Sequence, residues 1–169
     1  MYNEDMIINL KNKDTLVFGG FNFKCCIGKK GTAKNKIEGD NKTPKGLFSL
    51  GNLYFRKDRL IKPLTKIKCL QITNQMGWCN DISNKKKYNK LIKIDKKIKY
   101  EKMFRNDYKY NLVLPINYNS CKPKLKKGSA IFIHLTKEYK PTAGCIGLSK
   151  KDFLILLKLI DTKTKIKIN

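Results

Sequence analysis

Apolar and polar positions alternate along most of this chain, and the alternation predicts strands far more often than helices. Two apolar runs open it, Met6–Leu10 and Thr15–Ile27. Gly19-Gly20 divides the second run, so two or three strands are predicted there. Residues 29–46 lose the pattern: Gly28-Lys29-Lys30-Gly31, Glu38-Gly39-Asp40 and Thr43-Pro44-Lys45-Gly46 carry loop chemistry. Strands are predicted again at about 47–55 and 67–73. Residues 80–110 are rich in Lys, Asn, Asp and Tyr with weak periodicity. They predict an excursion from the core, with a short helix near 99–104. Strand character returns at 111–118 and 129–135.

One longer helix is predicted, beginning at Ser149. Ser149-Lys150-Lys151-Asp152 has the capping-box pattern. Phe153, Leu154, Leu156, Leu157 and Ile160 follow at the spacing of one helical face. Lys163–Asn169 then alternates Lys, Thr and Ile like a closing strand. Many short strands and one good helix imply a mainly β fold, a β-sandwich or β-rich domain with one C-terminal α-helix and a lysine-rich excursion. The 169 residues suit a single domain over 1–169.

Charge changes this picture less than its size suggests. The formal net charge is +25, yet of 38 basic residues only Arg56, Arg59 and Arg105 are arginine. Base and phosphate recognition favours the forked guanidinium. Lys, Asn and Ile abound while Ala occurs three times, a bias that AT-rich codons would produce. The reading favoured here is a solvated lysine surface; a surface that also attracts anionic polymers comes next, and dedicated nucleic-acid binding ranks last. Six cysteines form no CxxC pair, and a single histidine offers little help to a metal, so no zinc site is expected. Adjacent Cys25 and Cys26 suit reduced core thiols. The opening Met1-Tyr2-Asn3-Glu4-Asp5 lacks a basic start followed by an apolar run, and no stretch approaches transmembrane length. Both features favour the cytoplasm, with the periplasm or cell envelope as the alternative for an exported or trimmed form.

The candidate chemistry lies in the last third. The run Ser129–Leu135 contains His134, the sole histidine, and Gly144-Cys145 follows eleven residues after it. A thiol becomes a useful nucleophile near neutral pH when a base or cation stands beside it. His134 could form an imidazolium–thiolate pair with Cys145, its second nitrogen fixed by a backbone carbonyl near Leu135. Glycine before the nucleophile allows close backbone approach, and N–H groups around such a turn can face an oxyanion.

Ser129–Phe153 (SAIFIHLTKEYKPTAGCIGLSKKDF) resembles the active-site segment of the L,D-transpeptidase, or YkuD, family, in the branch with a short His-to-Cys loop and a PTxGCIxLS motif. Three further segments resemble that branch in the same order: Glu38–Gly46, Gly77-Trp78-Cys79-Asn80-Asp81, and Tyr118-Asn119. The resemblance implies a YkuD-type β-sandwich, with Cys145 as nucleophile, His134 as general base and then general acid, and Gly144 with Cys145 as oxyanion donors. It implies a peptidoglycan stem peptide or muropeptide as substrate and no metal or organic cofactor. The broader family motif has His before Gly-Cys and Arg or Asn after it. This chain has Ala143, Gly147 and Ser149 in that region, so any role of those family residues is not carried over.

The remaining candidates each have two readings. Trp78 lines the cleft, stacking on sugar or peptide, or anchors the core. Glu38 and Asp40 bind a cationic amine of the substrate, or only shape a turn. Asn119 hydrogen-bonds near the catalytic pair or caps a turn, and Thr142 positions the loop. The expected reaction is acyl transfer on stem peptides through a thioester on Cys145. The alternative is hydrolysis of the same bond as an L,D-carboxypeptidase, and the rival from another class is a basic nucleic-acid-binding module.

Overall fold

The computed structural model describes residues 6–169; the acidic opening Met1–Asp5 lies outside the described residues. The strands in chain order are β1 (Ile7–Lys11), β2 (Thr15–Phe18), β3 (Phe21–Cys26), β4 (Thr32–Ala33), β5 (Thr43–Pro44), β6 (Gly46–Ser49), β7 (Leu53–Phe55), β8 (Cys69–Gln71), β9 (Met76–Cys79), β10 (Leu91–Lys93), β11 (Tyr100–Lys102), β12 (Leu112–Pro115), β13 (Phe132–Leu135), β14 (Ile146–Leu148) and β15 (Lys165–Ile168). The α-helix α1 covers Lys150–Leu159, between β14 and β15. The fold is mainly β, as the apolar pattern predicts.

Ten strands form one sheet in the order β6-β15-β1-β2-β3-β14-β13-β12-β7-β8. The Gly19-Gly20 break is a two-residue hairpin. Both glycines have positive φ (55° and 79°), as the tight turn between Phe18 and its partner Phe21 requires. Helix α1 starts where the sequence predicts: the Ser149 hydroxyl accepts the Asp152 N–H at 3.1 Å. Its Phe153, Leu156 and Leu157 are buried against the sheet with Ile8, Leu16, Leu114 and Ile146.

The strand alternation explains where the site sits. Ile133 and Leu135 of β13 enter the main core, while Phe132 packs in a second cluster on the opposite face. His134 shares the parity of Phe132 and faces that second side. Tyr54 of β7 and Val113 of β12 join the same cluster, and Cys145 packs against it.

Several elements differ from the sequence expectation. No helix forms near 99–104: Tyr100–Lys102 is β11, paired with β9 in a small sheet of order β10-β9-β11. A six-residue helix nucleates poorly alone, whereas β9 offers a ready ladder. The predicted strand 47–55 is two strands, interrupted at Gly51-Asn52, with β6 and β7 in different parts of the large sheet. The strand predicted over 129–135 begins only at Phe132, since Ala130 takes a left-handed backbone (φ 52°). Strands β9, β10 and β14 were not legible as strands. Among the described residues, no helix is long and apolar enough to cross a membrane.

Candidate active site

His134 and Cys145 line one cavity of about 560 Å³. They reach it from adjoining strands. β13 and β14 run parallel with His134 opposite Gly147, so the turn before β14 brings Cys145 to the same face. Gly144 makes that turn with φ 144°, and a Cβ there would stand 2.8 Å from the Lys42 carbonyl. The turn is clamped on both sides. Thr142 Oγ1 donates to the Cys145 carbonyl at 2.6 Å and accepts the Gly144 N–H at 3.0 Å. Thr43 Oγ1 donates to the Gly144 carbonyl and accepts the Gly28 N–H, both at 2.9 Å. The Gly144 N–H is thus engaged with Thr142 and turned away from any ligand in the cavity.

The His134 Nδ1 lies 2.9 Å from the Leu135 carbonyl, the acceptor expected from the sequence. Donation from Nδ1 leaves Nε2 unprotonated toward the cavity. The imidazole is not the resting thiol's partner, however. Cys145 Sγ donates to the Ala130 carbonyl and accepts the Phe132 N–H, each at 3.3 Å. Burial pushes the thiol up to about 12, and the Glu101 charge adds to this against the Phe132 N–H, Lys36 and Arg105. Burial also lowers His134, over the opposing hydrogen bond that the imidazole donates to the Leu135 carbonyl. Both shifts run toward the neutral forms, and the thiol's hydrogen bonds go to backbone groups rather than to the imidazole.

The excursion supplies much of the opposite wall: Glu101, Arg105, Tyr108, Lys109 and Tyr110 line the cavity. The Tyr110 ring lies 5.7 Å from His134, and its hydroxyl donates to Glu101 Oε1. Arg105 stands 3.8 Å from Glu101 and is held at 2.6 Å by Asp107. Burial raises the Glu101 carboxyl despite the Tyr110 hydrogen bond and the Arg105 charge. None of these residues belongs to the motifs that mark His134 and Cys145. Their only sequence signal is the density of Tyr and charged residues at 99–110.

The other sequence candidates separate. Glu38 lines the cavity; its Oε2 accepts the Tyr88 hydroxyl at 2.5 Å and the Ser129 hydroxyl at 2.7 Å. Asp40 is outside the cavity wall. It pairs with buried Lys36 at 2.6 Å and caps the Ile37 and Lys42 N–H groups, which together outweigh burial and lower its carboxyl. The geometry gives Asp40 the turn reading. Trp78 is also outside the cavity wall, packed edge-on against Phe132 at 5.0 Å, with Nε1 donating to Asn89. It is a packing anchor rather than a stacking platform. Asn119 closes its own turn, accepting the Lys124 N–H and donating to the Lys124 and Gly128 carbonyls. Thr142 is in the wall and holds the turn.

All six cysteines are free, and Cys25, Cys26 and Cys79 are buried. Among the described residues, no group of three or more His, Cys, Asp or Glu side chains is placed to hold a metal. The arrangement therefore brings together one thiol, one imidazole, a polar turn and a cavity walled by both signs of charge.

In a comparison with protein families, the model of the L,D-transpeptidase catalytic domain, YkuD, matches residues 4–168. No curated protein and no solved structure matches the chain.

Proposed function

The chain belongs to the YkuD family of L,D-transpeptidase catalytic domains, and on that premise we propose that it transfers acyl groups of peptidoglycan stem peptides through a thioester on Cys145. The observation that carries this reading is the opening of His134 and Cys145 into one cavity, with the Leu135 carbonyl fixing the imidazole tautomer. His134 Nε2 takes the Sγ proton as sulfur attacks the amide carbon between the L-centre of a diamino acid and the next D-residue. The carbonyl oxygen becomes an oxyanion facing the Cys145 N–H. The C–N bond then breaks, and the departing amine of the D-residue receives the proton from His134. An amine acceptor resolves the thioester in transpeptidation; water resolves it in hydrolysis.

Glu38 supports a substrate carrying an ammonium group. Two hydroxyls orient one of its oxygens, and the carboxylate lines the cavity. Thr142 acts by holding the turn. The neutral resting pair fits a nucleophile that is deprotonated as substrate arrives, not one held as a standing thiolate.

Intact mass after incubation with a carbapenem or a tetrapeptide tests the acylation step. The expected result is an adduct mapped to Cys145 and absent from Cys145→Ala. A folded wild-type protein that stays unmodified refutes it. Tetrapeptide with and without excess D-amino acid then separates the two outcomes: exchange product denotes transpeptidation, and tripeptide alone in both denotes the carboxypeptidase.

A further inference from the structure

The peptide that accepts the thiol proton is held in an unusual conformation. Ala130 has φ 52°, a left-handed backbone that costs a residue with a Cβ about 1 kcal/mol or more. Its carbonyl receives the Cys145 thiol at 3.3 Å. Its N–H donates at 3.0 Å to Asn89 Oδ1. Asn89 is buried, 5% exposed, and belongs to the excursion, two residues before β10.

The Asn89 amide is saturated. Oδ1 accepts the Ala130 N–H and, at 2.9 Å, Trp78 Nε1. Nδ2 donates to the Tyr118 carbonyl at 3.0 Å and the Asn119 carbonyl at 2.8 Å. Two acceptor sites and two donor hydrogens exhaust the capacity of a side-chain amide, and the partners fix which end is oxygen. Three sequence segments far apart in the chain, at Trp78, at Tyr118-Asn119 and at Ser129-Ala130, therefore meet on one side chain. Asn89 itself adopts φ 56°, which asparagine tolerates better than most residues.

We propose that Asn89 is a positioning residue for the nucleophile: by gripping the Ala130 N–H it holds the left-handed Ala130 backbone, which presents the carbonyl of the following peptide to Cys145 Sγ and sets the direction of the thiol proton. The proposal deepens the acyl-transfer reading and rests on it only for its consequence in turnover. In the resting site the sulfur's proton points to Ala130. With substrate bound, the same fixed sulfur needs only a change in proton direction to engage His134, not a search for its place. A disordered Ala130 peptide would leave Sγ without its acceptor and without a defined rotamer.

The test needs no substrate, so its failure is separable from failure of the functional reading. Asn89→Gly removes the side chain and leaves the left-handed backbone unstrained. Iodoacetamide labelling at pH 8, mapped cysteine by cysteine, compares the variant with wild type. Losing an acceptor that favours the protonated thiol raises the thiolate fraction, so Cys145 labelling is expected to rise at least fivefold. Lys36, Glu101, Arg105, Tyr110 and His134, which face the same sulfur or its cavity, are unchanged. Exposed Cys121 is expected to keep its rate, and buried Cys25, Cys26 and Cys79 to stay protected. An unchanged Cys145 rate in the folded variant overturns the proposal. So does labelling that rises together at Cys79, Cys25 and Cys145, up to complete unfolding, because it assigns Asn89 to stability alone.

Discussion

The Thr43 hydroxyl donates to the Gly144 carbonyl at 2.9 Å, joining two residues 101 positions apart in the sequence. The same hydroxyl takes the Gly28 N–H, so the loop after β3 and the nucleophile turn share one buried oxygen. Thr43→Val keeps the shape and leaves both backbone groups without that partner. The expected loss is about 1–3 kcal/mol of stability, read as a lower denaturant midpoint at unchanged slope. Thr43→Ser is expected to restore most of it. Equal midpoints for Val and wild type would remove this clamp from the account.

Gly144→Ala meets a backbone obstacle, not a movable side chain. The new Cβ would lie 2.8 Å from the Lys42 carbonyl, at a φ of 144° that residues with a Cβ rarely adopt. The turn must shift, carrying Cys145 with it. Carbapenem acylation is expected to fall at least tenfold, with a stability loss of about 1–3 kcal/mol. Acylation at the wild-type rate would show that the turn tolerates a Cβ.

His134 gives a pH dependence of known sign. Burial lowers its imidazole below the ordinary value of about 6.5. Above that pH both folded and unfolded chains hold it neutral. As pH falls through about 6.5, the unfolded chain takes a proton that the folded imidazole resists, so stability declines until the folded value is reached. Comparing His134→Gln with wild type isolates the effect, because Glu101, raised chiefly by burial, contributes equally to both. Urea midpoints of the two proteins are expected to diverge in wild type's disfavour only below about pH 6.5. A constant offset from pH 8 to 5 would contradict the burial of a neutral imidazole.

Glu101 opposes the ionisation of Cys145 through its charge, second only to burial. Glu101→Gln removes that charge and retains an oxygen for the Tyr110 hydroxyl. Alkylation of Cys145 at pH 9 is expected to quicken severalfold while Cys121 holds its rate. Slower alkylation would mean that Glu101 supports the thiolate instead.

Sequence pattern revealed those parts whose signal is local. The Gly19-Gly20 hairpin, the Ser149 cap and the apolar face of α1 depend on residues within a few positions of each other. His134 and Cys145 were visible because a sole histidine and a Gly-Cys turn are rare features of known chemistry. Asn89, Glu101 and Tyr110 were not. Their roles arise only when the small sheet of β9, β10 and β11 docks beside β13, and such non-local pairing leaves weak periodicity in short segments. Trp78 stayed open between two readings for a related reason, and the structure gives it the core-anchor one. An indole reads the same from sequence whether it faces solvent or, as here, Phe132 and Asn89.

His134 stands on β13 of the ten-stranded sheet and Cys145 in the turn before β14, while Glu101, Arg105, Tyr108, Lys109 and Tyr110 come from the excursion. On the acyl-transfer proposal, the division separates what breaks the bond from what inspects the visitor. Evolution, or an engineer, can therefore rewrite that stretch to admit a different guest while the sulfur and imidazole keep their posts, provided Asn89 remains to tie the two parts together.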